Sequence, residues 1–290
     1  MLWNQYPRYY SWITRLNTKG VFEPGWAERE IALLKKDFEN GAIGVKVWKE
    51  IGMTLKNDEG DYIQLDDPVF EPVFQFIASQ KKTMIGHIGE PIDAWMPTGF
   101  LPDGVPRNYW AVHPQFSYYN RSDLPSYTEI IAGLDRFLEK YPNLRYVGAH
   151  LASLEYNVED IAFRLDKYPN FAVEIGGRMK YLMWQARGRV RHFFIKYSDR
   201  IMYGTDRGAR SNMSPEQYEK RKHAVYDRYA AFSQYLATAD DIPAGNVIRD
   251  DRPVPEATYT VKGLNLPKDT LQDIMYNTPI KWFPGIDKDF

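Results

Sequence analysis

YPNLRYVGAH (residues 141–150) and its echo YPNFAVEIGG (residues 168–177) decide the fold. Each opens on Tyr-Pro-Asn, where proline cannot continue a helix and asparagine tolerates the turn that follows. Each then enters a short apolar stretch of strand character, at 144–149 and 171–175. A helical pattern precedes each, over 126–141 and 158–168. Helix, stop and strand in repetition imply a parallel α/β sheet. Working outward, the same rhythm predicts strands at 9–16, 43–48, 83–88 and 201–204, and helices at 26–40, 68–80 and 179–197. In 26–40, Ile31, Leu34 and Phe38 fall at helical spacing, and Gly41 ends the helix as a C-cap. Six β-then-α units follow one another without a linker, so residues 1–290 read as a single domain. Beyond Asp206 the pattern changes to a charged helix at 215–238, a loop with Pro243, Pro253 and Pro255, and a final helix at 268–276. The long loop at 89–125 is rich in proline and aromatics; loops of that length are commonly functional.

The chain has 290 residues, 44% apolar and 26% charged, the balance of an ordinary globular domain and enough for one α/β barrel. Its 37 basic and 38 acidic residues leave a net charge of −1, which argues against nucleic acid or an acidic membrane surface as partner. No apolar run approaches the ~18 residues of a membrane helix, and no signal-peptide pattern opens the sequence. A cytoplasmic location is expected if Met1 is the true start. Cysteine is absent, which removes disulfides, thiol nucleophiles and cysteine-held metals. A metal would need His, Asp, Glu or a modified Lys, and the histidines are only His87, His113, His150, His192 and His223.

In parallel α/β folds the chemistry gathers at the carboxyl ends of the strands. Strand 43–48 carries Lys46 and leads to Lys49; 83–88 carries His87 and leads to Glu90; 144–149 leads to His150. Strand 171–175 carries Glu174 and leads through Gly176 and Gly177 to Arg178; 201–204 leads to Asp206 and Arg207. Strand alternation groups His87 with Ile85, His150 with Gly148 and Asp206 with Gly204, so the three are expected to converge. Two imidazoles and a carboxylate suit a divalent ion, and a bound metal brings the pKa of its water to about 7. Asp206 is placed to act as general base. Arg178 and Arg207 are candidates to hold a substrate carboxylate. Lys46 pairs with Glu174 or Glu90, or meets substrate. Glu90 either orients a ligand histidine or serves as a turn residue before Pro91. Trp48, Trp95 and Trp110 floor a pocket or pack in the core. His113 divides between loop packing and substrate contact, His192 reads as structural and His223 as solvated.

The segments GHIGEP (86–91), NLRYVGAHL (143–151) and RIMYGTD (200–206), in that order, resemble the amidohydrolase superfamily, in particular its amidohydrolase-2 branch of metal-dependent hydrolases and decarboxylases. The tail from GLNLP (263–267) to IMYNTP (274–279) resembles that branch's closing helix. The resemblance implies a (β/α)8 TIM barrel with a divalent metal, zinc first, held by His87, His150 and Asp206 on the family's fifth, sixth and eighth strands. Metal-bound hydroxide would attack an ester, lactone or amide of a small, possibly carboxylated substrate. Asp206 would take the water's proton, His150 would polarise the substrate oxygen, and Lys46, Glu90, Arg178 and Arg207 would bind substrate. In some superfamily members the equivalent of Lys46 is a carboxylated, metal-bridging lysine. Decarboxylation on the same scaffold is the alternative.

The family's first strand normally ends in His-X-His, which this sequence lacks. Counting back from the eighth strand makes 9–16 the third, so six of eight strands and an incomplete barrel are expected. An inactive fragment is therefore a further reading, with weak or absent metal. The bared edge at 9–16, with Trp12, is expected to invite self-association.

Overall fold

Six parallel strands, each beside its neighbour in sequence, form the body of the structure, a computed structural model that describes residues 6, 8–97, 110, 113–206, 213–243 and 260–287. They are β1 (Thr14–Arg15), β2 (Gly44–Val47), β3 (Thr83–Gly86), β4 (Tyr146–Gly148), β5 (Phe171–Glu174) and β6 (Ile201–Met202). The crossovers carry α1 (Trp26–Glu39), α2 (Glu71–Ser79), α3 (Tyr127–Lys140) and α4 (Val158–Lys167), then α5 (Met179–Met183) and α6 (Arg187–Lys196) before β6. β1 and β6 do not pair, so among the described residues the sheet is an open six-strand arc, as expected. No helix among those residues is long and apolar enough to cross a membrane.

Two expectations need correction. The strand read at 9–16 contracts to Thr14–Arg15, because among the described residues β1 has β2 as its only partner. The single helix read at 179–197 is two. Gln185 sits at the break, its Oε1 accepting from the Val158 amide at 2.9 Å and its Nε2 donating to the Glu155 carbonyl at 2.9 Å. After β6 come α7 (Pro215–Ala237), an antiparallel ribbon of β7 (Asp241–Pro243) and β8 (Thr260–Lys262), and α8 (Lys268–Gln272). A π-turn at Asp273–Asn277 then carries the chain into α9 (Thr278–Trp282). The ribbon lies where sequence alone reads only a loop. Pro253 and Pro255 lie outside the described residues.

The Tyr-Pro-Asn stop does more than end a helix. The Asn170 amide donates to the Leu138 and Tyr141 carbonyls at 3.1 and 3.0 Å, tying the end of α3 to the start of β5. At its other end α3 has a capping box: Ser126 Oγ accepts from the Glu129 amide, and the Glu129 carboxylate accepts from the Ser126 amide at 2.7 Å.

The cross-strand register places Lys46, Ile85, Val147 and Ala172 side by side on one face. That inner face packs Ile85, Val147, Ala172 and Met202 against Trp282 and Phe283. The Thr83 hydroxyl donates to the Trp282 carbonyl, which seats the C-terminal segment at the amino ends of the strands. The other face, with Val45, Met84, Tyr146 and Phe171, joins the main core under the helices. With the amino end filled, the inner face is left open toward the carboxyl ends, where the chemistry is expected.

Gly86 tests this packing. A Cβ there would fall on the Tyr146 hydroxyl, which is buried without a hydrogen-bond partner. Gly86→Ala should destabilise by about 1–3 kcal/mol through overpacking. Tyr146→Phe alone should change stability by less than about 1 kcal/mol, since the hydroxyl it removes is unsatisfied. The Cβ would also lie 2.5 Å from the ring Cζ, which Phe keeps, so urea denaturation of both variants and the double variant should show Tyr146→Phe recovering only part of the Gly86→Ala loss; strict additivity would show that the hydroxyl takes no part in the clash.

Candidate active site

His87 and His150 meet at the carboxyl end of the sheet, their rings edge to face with centroids 4.5 Å apart. His87 extends β3 by one residue, its amide donating to the Val47 carbonyl at 3.0 Å, and it shares the inner face with Ile85 as alternation predicts. His150 reaches the same place by a different route. Alternation would put it on the face of Gly148 and Tyr146, and Tyr146 belongs to the core under the helices. The chain instead turns into left-handed backbone at His150, Leu151, Ala152 and Ser153, with φ values of 58°, 57°, 58° and 61°. Non-glycine residues disfavour that region by about 1–2 kcal/mol each. The turn folds back over Gly148, where a Cβ would strike Ala152.

Glu174 holds this turn. Its Oε2 accepts from the His150 amide at 3.2 Å and its Oε1 from the Gly176 amide at 2.5 Å. The carboxylate occupies space left by Gly204 and Gly176, where a Cβ at either position would collide with it. Burial raises its pKa, opposed by those two amides. Sequence reading treats Glu174 only as a partner for Lys46. The available signal was a carboxylate ending an apolar strand just before paired glycines.

His150 Nδ1 lies 2.7 Å from the Gly176 carbonyl. A carbonyl only accepts, so Nδ1 carries the proton and the neutral ring keeps a lone pair on Nε2. Burial and the charge of Arg178 lower the His150 pKa, with the Gly176 carbonyl and Asp206 opposing. His87 is driven down to about 2, by burial first and then by His150, Arg178, Lys49 and Lys46. Its Nε2 is buried without a hydrogen-bond partner. Both rings are therefore neutral at pH 7. A neutral His150 offers an acceptor, which corrects the expectation that it polarises a substrate oxygen.

Around the pair most cations are matched. Lys49 donates to Glu90, so Glu90 holds a lysine and not a histidine ring. Arg178 is buried in an ion pair with Glu155 at 3.2 Å. Burial raises the Glu155 pKa, and Arg178 is the largest influence opposing it. The Arg178 guanidinium is thus already engaged, and not free to clamp a carboxylate as expected. Arg207 lies outside the described residues. Lys46 stands on the inner face with its Nζ 5.4 Å from the centroid of the Trp48 ring. Trp48, 40% exposed, also lies 5.9 Å from the His87 ring, at the site as sequence reading allowed. Trp95 stacks on Tyr118 and Trp110 is buried, so both are packing residues. His192 and His223 are exposed on α6 and α7.

Asp206 adopts a left-handed φ of 50°, and its carboxylate lies over Gly177, on the exposed rim. Among the described residues no three His, Asp or Glu side chains come together as a group that could hold a metal ion. The unpartnered His87 Nε2 and the lone pair of His150 Nε2 fit two donors of a metal site. Asp206 is not brought in as a third, so the described residues do not complete the shell a tightly held ion needs.

A parallel α/β sheet with titratable side chains gathered at its carboxyl ends has the arrangement of the α/β barrels. The amidohydrolase family model matches residues 14–285, and the chain belongs to that family. A 2,6-dihydroxybenzoate decarboxylase, solved with 2,6-dihydroxybenzoate, shares the fold at 14% identity and a TM-score of 0.52, over 97% of this chain and 72% of that one. A 4-oxalomesaconate hydratase from Rhodopseudomonas palustris gives 11% identity and a TM-score of 0.49, over 99% of this chain and 69% of that one. An uncharacterized TIM-barrel protein from Bordetella bronchiseptica gives 13% and 0.47, over 98% and 70%. No curated protein matches the chain.

The buried neutral histidine carries a pH signature. His87 resists protonation in the fold, whereas in the unfolded chain it takes up a proton below about pH 6.5. The unfolded state then binds more protons, so stability should fall as pH drops from about 6.5 toward 2, by up to about 1.4 kcal/mol per pH unit from this group. Urea midpoints at pH 7 and pH 5 should differ less in His87→Gln than in the wild type; an unchanged difference would show that His87 is not held neutral.

Proposed function

We propose that this chain is a hydrolase of the amidohydrolase type, acting at the mouth of the sheet on an ester, lactone or amide of a small molecule. One observation carries the reading: a pair of buried, neutral imidazoles whose His150 member is locked with a bare Nε2. His150 Nε2 accepts a proton from water as the water oxygen bonds to the carbonyl carbon. The tetrahedral adduct then expels its alkoxide or amine, which takes that proton back from His150. Asp206 favours the imidazolium formed between the two steps, since its charge raises the His150 pKa. His87 Nε2 offers a second unpaired nitrogen to water or substrate.

A panel of p-nitrophenyl esters, lactones and anilides tests this. His150→Ala should lower kcat/KM by about 10²–10⁴-fold while the thermal transition stays in place. Lack of turnover across the panel, or turnover indifferent to His150→Ala, would favour an inactive scaffold. A divalent ion, zinc or another, should bind weakly to the two imidazoles. Dialysed protein is expected to hold much less than one zinc per chain, and stoichiometric zinc surviving His87→Ala would contradict the two-donor reading.

Self-association through the β1 edge belongs to the same proposal. A cleft of about 490 Å³, lined by Trp12, Ile13, Ile43, Tyr276, Ile280 and Phe283, lies between that edge and the C-terminal segment. Tyr9 beside it is 72% exposed. Sedimentation at micromolar concentration should show a dimer or larger species; a compact monomer would show that the chain covers its own edge.

A further inference from the structure

Among the described residues four cations stand at the mouth of the sheet on or beside its inner face. Arg15 pairs with Glu50 at 2.7 Å, Lys49 with Glu90, and Arg178 with Glu155 at 3.2 Å. Lys46 is the exception. It is half-buried, and among the described residues its Nζ has neither a hydrogen bond nor an ion pair, only the face of Trp48. The Glu174 and Asp206 carboxylates act on it through space without closing on it.

A half-buried ammonium without a carboxylate is disfavoured, whereas a neutral amine tolerates the place. The register also sets the amine's direction. Lys46 is level with Ile85, Val147 and Ala172, one pleat repeat below Glu174, so its long side chain can rise along the inner wall into the mouth where the histidine pair lies. Beside it the exposed Trp48 ring supplies a flat apolar platform.

We propose that Lys46 is an amine nucleophile that captures the carbonyl of a small aromatic aldehyde or ketone as an imine, with Trp48 stacking on the ring. The Lys46 nitrogen bonds to the carbonyl carbon, and the C=O π pair moves to oxygen, which takes a proton from water. The nitrogen of the adduct gives up a proton to Asp206. The nitrogen lone pair then expels the hydroxyl, which leaves as water with the proton returned by Asp206. The iminium left behind gives its N–H proton to the hydroxide formed from the first water, so amine and carbonyl give imine and water, with no change of oxidation state and no further reactant. Burial lowers the Lys46 pKa, against the pull of Glu174 and Asp206, in the direction this chemistry needs. The inference uses the same cleft as the hydrolase reading but neither its histidines nor a metal.

The test is trapping with one equivalent of salicylaldehyde and cyanoborohydride at pH 7, with and without chelator, read by peptide mass mapping. Lys46 should carry at least about tenfold more label than exposed lysines such as Lys19 and Lys35, because burial favours its free amine and the Trp48 face seats the ring beside it. The excess should vanish in urea-unfolded protein, and Lys46→Arg should remove that label alone. Label spread evenly over exposed lysines, or a Lys46 excess that persists in the unfolded chain, would overturn the proposal. Because trapping needs no turnover, its failure and that of the hydrolase reading are separable.

Discussion

The site depends on one half-buried carboxylate. Glu174 accepts one backbone amide on each oxygen, from His150 and from Gly176, and so binds the turn after β4 to the end of β5. An ionised carboxylate out of water costs several kcal/mol unless hydrogen-bonded. Each bond to a charged acceptor contributes about 1.5–3 kcal/mol. That contribution helps hold four consecutive residues in left-handed backbone, which no local preference supports. Further anchors act on the same turn: Ser153 Oγ donates to the Gly89 carbonyl at 2.6 Å, and the Tyr127 hydroxyl donates to the Ser153 carbonyl at 2.7 Å. Strain of this kind persists where the surroundings over-determine it, as they do in active sites. Here the result is specific: a histidine that strand alternation would send toward the helices is delivered to the inner face beside His87.

The fold places this device at one end by filling the other. Trp282 and Phe283 cover the amino ends of the strands, so the inner face opens toward the carboxyl ends. The opposite edges of the sheet differ. Beyond β6, the Tyr203 amide donates to the Ile274 carbonyl at 2.8 Å, so the C-terminal π-turn occupies that side. Among the described residues β1 has no strand on its outer side, and the apolar cleft lies there.

Much of the architecture is legible in the sequence because it follows from local rules. The Tyr-Pro-Asn stops and the apolar runs place α1 to α4 and β2 to β5 within a few residues. The break at Gln185 and the β7–β8 ribbon are not legible, since both depend on contacts between distant segments. The convergence of His87 and His150 is legible from their strand ends, although alternation is the wrong reason for His150. Its true cause, a left-handed turn clamped by Glu174, needs the third dimension. So does the pairing of Arg178 with Glu155, because burial of Glu155 at a turn has no signature in its neighbours.

The direct test of this account is the proximity of the two rings, measured as the nuclear Overhauser effect between the ring protons of His87 and His150 in protein carrying labelled histidine only. The account predicts a strong cross-peak in the wild type. It also predicts that Glu174→Leu, which removes both acceptors from the turn, abolishes the cross-peak while core methyl shifts remain native. A wild type without the cross-peak, or a Glu174→Leu protein that keeps it at full intensity, would contradict the claim that Glu174 builds the site.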